Sequence, residues 1–209
     1  MKETLAFFGA FNPPSIAHLR LAEFALGRTG AKRVLFVPSR AAYIRDTQGK
    51  DFAYGDEARL EMLRRAAETR PWMEVTDLEI RQEAQPRTYD TLCRLREAGR
   101  DATLLMGSDK LPELETGWLH VEEIAREFGI AVLTRGADEC RRMLREDPFL
   151  AGLADGIRVI ETPAETREIS STRVRQLVRE IREAQEELRG MVDPAILPLL
   201  LGKNKKEST

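Results

Sequence analysis

Short apolar runs that alternate with amphipathic helical patterns predict an α/β fold built on a doubly wound parallel sheet. Three observations carry that expectation. Five runs, Thr4–Phe8, Arg33–Val37, Thr103–Met106, Ile130–Thr134 and Ile157–Ile160, are short, apolar and bounded by Gly, Pro or charge, the pattern of strands buried on both faces. Between them, residues at helical spacing share a face: Leu19, Ala22, Ala25 and Leu26; then Leu60, Leu63 and Ala67; then Thr91, Leu92 and Leu95. Strand and helix in alternation imply βαβ units, whose ligands bind at the carboxyl ends of the strands.

The remaining segments are read in turn. Ser39–Gly55 lacks periodicity and is long for a connector, so it is a functional loop or a poorly ordered one. After Glu161-Thr162-Pro163, one long helix is expected from about Thr172 to Leu188, with Val174, Leu177, Val178, Ile181 and Leu188 facing the core. A last short helix follows Asp193-Pro194, with Asp at the cap and Pro at the first helical position. Residues 1–209 thus read as one domain, its C-terminal helical part about 172–201 and its tail, 202–209, disordered.

Composition excludes several classes. The chain has 209 residues, enough for a self-standing core, and a net charge of −2, which disfavours a nucleic-acid partner. No run approaches the roughly 18 apolar residues of a membrane span, and the N-terminus has no signal-like stretch, so a cytoplasmic protein without membrane association is expected. Cys93 and Cys140 show no metal-ligand spacing and read as reduced thiols. Of the 33 basic residues 26 are arginine, a skew that suits phosphate recognition or merely reflects codon usage.

Two segments carry the chemistry. The first strand runs into Gly9-Ala10-Phe11-Asn12-Pro13-Pro14-Ser15-Ile16-Ala17-His18 and a helix follows, so backbone N–H groups and a helix dipole meet where an anion would be favoured. The segment lacks the glycine spacing of GxGxxG and the ending of a Walker P-loop; on local chemistry alone it is a phosphate site or a turn. The second segment, Arg167-Glu168-Ile169-Ser170-Ser171-Thr172-Arg173-Val174-Arg175, places arginines in the first turn of a helix, against its dipole. Such a conflict is expected where a bound anion compensates it; the alternative is a capped surface helix.

Together these residues resemble the adenylyltransferases that make dinucleotide cofactors, specifically the nicotinate and nicotinamide mononucleotide adenylyltransferases. Gly9-Ala10-Phe11-Asn12-Pro13 with Ser15-Ile16-Ala17-His18 is similar to their GxF(D/N)Px(H/T)xGH signature, and Ile169–Arg175 to their ISSTxxR motif. Arg87-Thr88-Tyr89-Asp90-Thr91-Leu92 resembles Y-T-x-D-T-L, Met106-Gly107-Ser108-Asp109 a GxD at a strand end, Trp118 the Trp of a Thr-Trp pair, and Met191–Ile196 the closing LVP helix. The resemblance implies a Rossmann-like nucleotidyltransferase fold and transfer of AMP from ATP, with Mg²⁺, to a pyridine mononucleotide, the only partners being small molecules.

It also implies residue roles. His18 and Arg173 would be catalytic; Gly9, Ala10, Phe11, Ser15, His18, Gly107, Asp109, Ser171, Thr172, Arg173 and Arg175 would hold ATP; Arg45, Thr88 and Trp118 would meet the acceptor, and no side chain would ligate a metal. A core lid is the alternative for Trp118 and a helix cap for Asp109. Ser15 stands where the family has His or Thr, Ala17 where it has Gly, and Ala42-Tyr43-Ile44-Arg45 where nicotinate-type enzymes carry Pro-Pro-His-Lys. His120 matches no motif position and reads as an exposed structural histidine. Two other readings compete: a sister nucleotidyltransferase for another phosphate acceptor, and a nucleotide-binding regulator without turnover.

Overall fold

The computed structural model describes residues 1–49, 52–134, 136–162, 171–180 and 185–203. Six parallel strands form one sheet in the order β3-β2-β1-β4-β5-β6: β1 Thr4–Gly9, β2 Arg33–Pro38, β3 Met73–Val75, β4 Ala102–Gly107, β5 Ile130–Thr134 and β6 Ile157–Glu161. The order reverses between β1 and β4, so the loops after these two strands diverge and leave a crevice at their carboxyl ends.

The helices are α1 Ile16–Thr29, α2 Ala41–Asp46, α3 Asp56–Ala67, α4 Thr88–Glu97, α5 Leu114–Gly117, α6 Val121–Glu123, α7 Ala137–Glu146, α8 Pro148–Leu153, α9 Ser171–Glu180, α10 Gln185–Met191 and α11 Leu197–Lys203. A 3₁₀ turn, Ser108–Glu113, precedes α5, and a π turn, Ile124–Phe128, follows α6. Alternate strand residues face opposite layers. Leu5, Phe7, Val34, Phe36 and Leu105 pack with α1, α3 and the C-terminal helices, whereas Ala6, Leu35, Val37, Leu104 and Met106 pack with α4 and α5–α8. The inner strands β1, β2, β4 and β5 therefore bury both faces, which explains their apolar runs, whereas β3 and β6 at the sheet edges are only partly covered.

Three sequence expectations need correcting. The three-residue edge strand β3 escaped detection because it is too short for an apolar run and carries Glu74, which pairs with Arg33 of β2 at 3.4 Å. The segment Ser39–Gly55 is no structureless loop: it contains α2, and Ala41, Ile44, Ala53 and Tyr54 are buried. The single helix expected over 172–188 is two helices, α9 and α10, that pack on each other; Arg173 reaches Glu187 at 2.9 Å, although 14 residues of straight helix would span about 21 Å.

Val174, Val178 and Leu188 are buried as anticipated, while Ile181 and the tail from 204 onward lie outside the described residues. Helix α11 continues through Gly202 to Lys203, two residues into the segment expected to be disordered. It starts at Leu197 rather than at Pro194, because Asp193 first closes a turn, its carboxylate accepting from the Ala195 N–H at 2.9 Å and from Arg70 at 2.6 Å. Among the described residues no helix is long and apolar enough to cross a membrane.

Candidate active site

The crevice between the ends of β1 and β4 holds a cavity of about 780 Å³. Gly9, Ala10 and Phe11 from the β1 loop, His18 from α1, Gly107 and Asp109 from the β4 loop, Thr88 from α4 and Trp118 from the end of α5 all line it. A second cavity, of about 690 Å³, lies between α8 and the 122–126 stretch and contains none of the expected site residues.

The β1 loop is shaped by one strained residue. Phe11 has φ 42, a left-handed conformation that costs a non-glycine residue about 1–2 kcal/mol. Its ring offsets that by full burial, edge-on to Phe7 at 5.5 Å and 5.2 Å from Phe36. The ring also rests on Gly9, where a Cβ would come within 3.0 Å of it, so glycine is required there for close approach.

His18 is oriented by the turn that starts its own helix. The Ser15 N–H donates to His18 Nδ1 at 3.0 Å, and the Ser15 hydroxyl lies 2.8 Å from the same nitrogen. A backbone N–H can only donate, so Nδ1 accepts and the proton of the neutral ring sits on Nε2. The imidazole, itself part of the cavity lining, therefore carries its N–H on Nε2. Histidine here occupies the helix position at which a Glu or Gln side chain usually reaches back to the cap.

Ser15 itself is fully buried and absent from the cavity wall, and its hydroxyl and N–H both face His18 Nδ1. Ala17 is likewise buried away from the wall, and its methyl does not narrow the cavity.

Sequence reasoning missed the residues that hold this loop from behind. Arg59 of α3, with a fully buried side chain, donates to three carbonyls, Ala10 at 2.7 Å, Ser39 at 2.5 Å and Tyr54 at 3.1 Å, and to Asp56 at 2.5 Å. Burial lowers the guanidinium pKa, and the adjacent Asp56 carboxylate opposes that shift. Asp56 also accepts from the Ala41 N–H at 2.7 Å, at the start of α2. Asn12 uses its amide both ways: Nδ2 donates to the Phe52 carbonyl at 2.7 Å and Oδ1 accepts from the Tyr54 N–H at 2.9 Å. The one available signal for Arg59 was its register, since 59, 62, 63 and 66 share a helix face whose other members are apolar.

The arginines of the second motif divide. Arg175 donates to the Asn12 carbonyl at 2.6 Å and to Thr172 Oγ1 at 3.1 Å, which brings the first turn of α9 to the β1 loop. Arg173 instead makes a two-point ion pair with Glu187 of α10, at 3.0 and 2.9 Å. Neither arginine nor Thr172 is on the cavity wall; Ser171 opens α9, and Ile169 and Ser170 lie outside the described residues. Arg45 is exposed and off the wall as well: Tyr43 and Thr47 of that segment, one turn apart, line the cavity with Gln48.

At the β4 end, Asp109 has a 76%-exposed side chain whose carboxylate folds over Gly107, in the space a Cβ at 107 would take. Glycine at 107 is thus what lets the carboxylate lie there. Trp118 is half-buried on the wall. His120 is half-exposed, but it does not stand apart from the cavity: its ring stacks on Tyr89, beside Thr88. Cys140 is buried, which raises its thiol pKa, and Cys93 is a second free thiol, half-buried.

Glu79 is the buried acid of the wall. Its oxygens accept from Thr91 at 2.9 Å and from Gln85 at 2.5 Å, and burial pushes its pKa from 4.5 up to about 7 despite both bonds. When protonated it can donate to Thr91 Oγ1, which in turn lies 3.3 Å from the Arg87 carbonyl, so the network is satisfied in either state.

The sequence matches the cytidylyltransferase-like family over residues 6–177. A probable nicotinate-nucleotide adenylyltransferase of Caldicellulosiruptor saccharolyticus is 30% identical over 199 residues, 94% of this chain and 95% of its own. One from Neisseria meningitidis serogroup A is 32% identical, covering 84% of this chain and 88% of its own. The solved structure of a Plasmodium falciparum nicotinic acid mononucleotide adenylyltransferase complexed with NaAD superposes with TM-score 0.73 over 99% of this chain and 98% of that one; at 18% identity this likeness is one of fold.

Two outcomes test this architecture. Arg59→Lys cannot reach three carbonyls and Asp56 together, and is expected to lower stability by about 3 kcal/mol in urea unfolding; an unchanged midpoint would remove Arg59 from this role. The raised pKa of Glu79 favours the neutral form, so its contribution to stability is full below pH 4.5 and is lost as pH rises through about 7. Glu79→Gln should therefore gain on the parent by about 3 °C or more in melting temperature between pH 5 and pH 8; a gap independent of pH contradicts this.

Proposed function

The chain belongs to the cytidylyltransferase-like family and, within it, groups with the nicotinate-nucleotide adenylyltransferases, and from that premise we propose that it transfers AMP from ATP to nicotinate mononucleotide in NAD biosynthesis. The observation that carries the reading is the switch-point cavity, where the β1 loop and His18 meet Gly107 and Asp109 on one side and Thr88 and Trp118 on the other.

In this reaction a 5′-phosphate oxygen of the acceptor attacks the α-phosphorus of ATP, the bond to the bridging oxygen breaks, and pyrophosphate leaves. The nucleophile comes from the substrate, so the protein has to align two phosphates and stabilise the charge that develops between them. His18 Nε2–H is a fixed donor for that charge, and the loop from Gly9 to Phe11 lets the backbone approach the nucleotide. Asp109 accepts from ribose hydroxyls. Arg175, already against the β1 loop, serves the departing phosphates, ahead of Arg173, which is engaged by Glu187. Thr88 and Trp118 receive the pyridine end. Mg²⁺ entering with ATP would neutralise phosphate charge, while His18 and the backbone of the β1 loop supply donors beside it.

The test is pyrophosphate release with Mg-ATP across nicotinate mononucleotide, nicotinamide mononucleotide, phosphopantetheine and FMN. Nicotinate mononucleotide should be turned over fastest. Faster turnover of either non-pyridine acceptor would reassign the substrate, and ATP binding with no turnover of any would favour a regulator. His18→Ala should lower kcat by roughly 10²-fold or more, the scale of one preorganised donor. Arg20→Ala, on the exposed side of the same helix, should leave it unchanged; equal effects would remove His18 from the reaction.

A further inference from the structure

Two walls of the cavity are joined by a contact that the reaction described above does not use. The ring of Tyr89, second residue of α4, stacks on His120 with centroids 4.9 Å apart and planes 28° apart. Thr88 precedes the tyrosine on one wall; Trp118 and Leu119 precede the histidine on the other. Each partner is anchored. Tyr89 lies edge-on to Phe128 at 6.0 Å with its hydroxyl 3.4 Å from Glu127, and Arg96 holds Glu127 at 2.9 Å. His120 Nδ1 is 3.5 Å from Glu123, and its backbone has φ 61, a left-handed conformation that a non-glycine residue keeps only when its surroundings hold it. Trp118 packs partly buried against the core, whereas Leu119, between it and the histidine, is 54% exposed, so the turn that carries the indole is held on its far side by His120.

We infer that the Tyr89–His120 stack is a clasp that sets the separation of Thr88 from Trp118, and so the width of the slot that receives the acceptor's ring. Both are positioning residues that act through Trp118 and Thr88. The inference rests on the proposed function only in naming that ring; the clasp itself concerns the unliganded wall. A stacked aromatic pair of this kind supports roughly a tenfold effect on the ligand it positions.

The experiment compares the parent with His120→Ala, Tyr89→Ala, Tyr89→Phe and the double alanine variant, in steady-state kinetics with Mg-ATP and nicotinate mononucleotide. Each single alanine variant should raise KM for the mononucleotide roughly tenfold, with kcat and KM for ATP within twofold of the parent. Tyr89→Phe keeps the stack and should match the parent, and the double variant should be no worse than the poorer single one. Trp118 emission, read without ligand in a Trp72→Phe background, should shift to the red in both alanine variants and not in Tyr89→Phe. Unchanged KM and emission, additive losses, or a parallel fall in kcat and both affinities would overturn the clasp. If the parent does not turn over nicotinate mononucleotide, the function reading fails while the emission result still decides the clasp.

Discussion

A single buried guanidinium organises the ligand-facing end of this sheet. Arg59 takes its charge out of water and regains in return a carboxylate at the start of its own helix and three carbonyls, each on a different segment: the loop after β1, the loop after β2 and the approach to α3. Loops at the carboxyl ends of parallel strands expose carbonyls that no sheet neighbour satisfies, and a planar fork of donors can bind several at fixed angles. An ammonium on a flexible stem could neutralise Asp56 but could not hold all three backbones in register.

The consequences reach the cavity wall through short chains of contact. With the Ala10 carbonyl held by Arg59 and the Asn12 carbonyl by Arg175, the residue between them is confined, and Phe11 keeps its left-handed backbone. Its ring then packs edge-on against His18, 5.2 Å away, while the Ser15 N–H fixes which imidazole nitrogen carries the proton. A donor held in this way needs no reorganisation when charge develops on a phosphate, which is the physical meaning of preorganisation here. The strain at Phe11 and the desolvation of Arg59 are therefore linked to one outcome, a many-times-tethered loop with His18 beside a cavity of about 780 Å³.

Much of the fold was legible because a buried parallel strand leaves an apolar run; β1, β2, β4 and β5 did, and β6 did with Arg158 interrupting it. The edge strand β3 did not, since three residues with a glutamate among them carry no such pattern. In the site, local motifs located the β1 loop, Gly107, Asp109, Thr88 and Trp118 on the wall. They could not give the direction of residues that depend on a distant partner: Arg173 pairs with Glu187, Arg45 lies on the solvent side of a helix that the sequence did not signal, and Ser15 meets His18 at the helix cap. Glu79 gave no signal at all, because a lone glutamate in a polar stretch looks solvated until the fold encloses it.

The sequence by itself determined the layer architecture, the strand ends at which a ligand binds, and the residue types suited to phosphate and nucleotide. These follow from hydrophobic periodicity and from the backbone chemistry of strand-to-helix turns, which are local properties. Only the tertiary structure decided which cations face the cavity and which are spent on structure, because a guanidinium has the same sequence signature whether it meets carbonyls, a carboxylate or a substrate. The long reach of an arginine side chain, comparable to the spacing between packed elements, leaves its partner to be chosen by the fold.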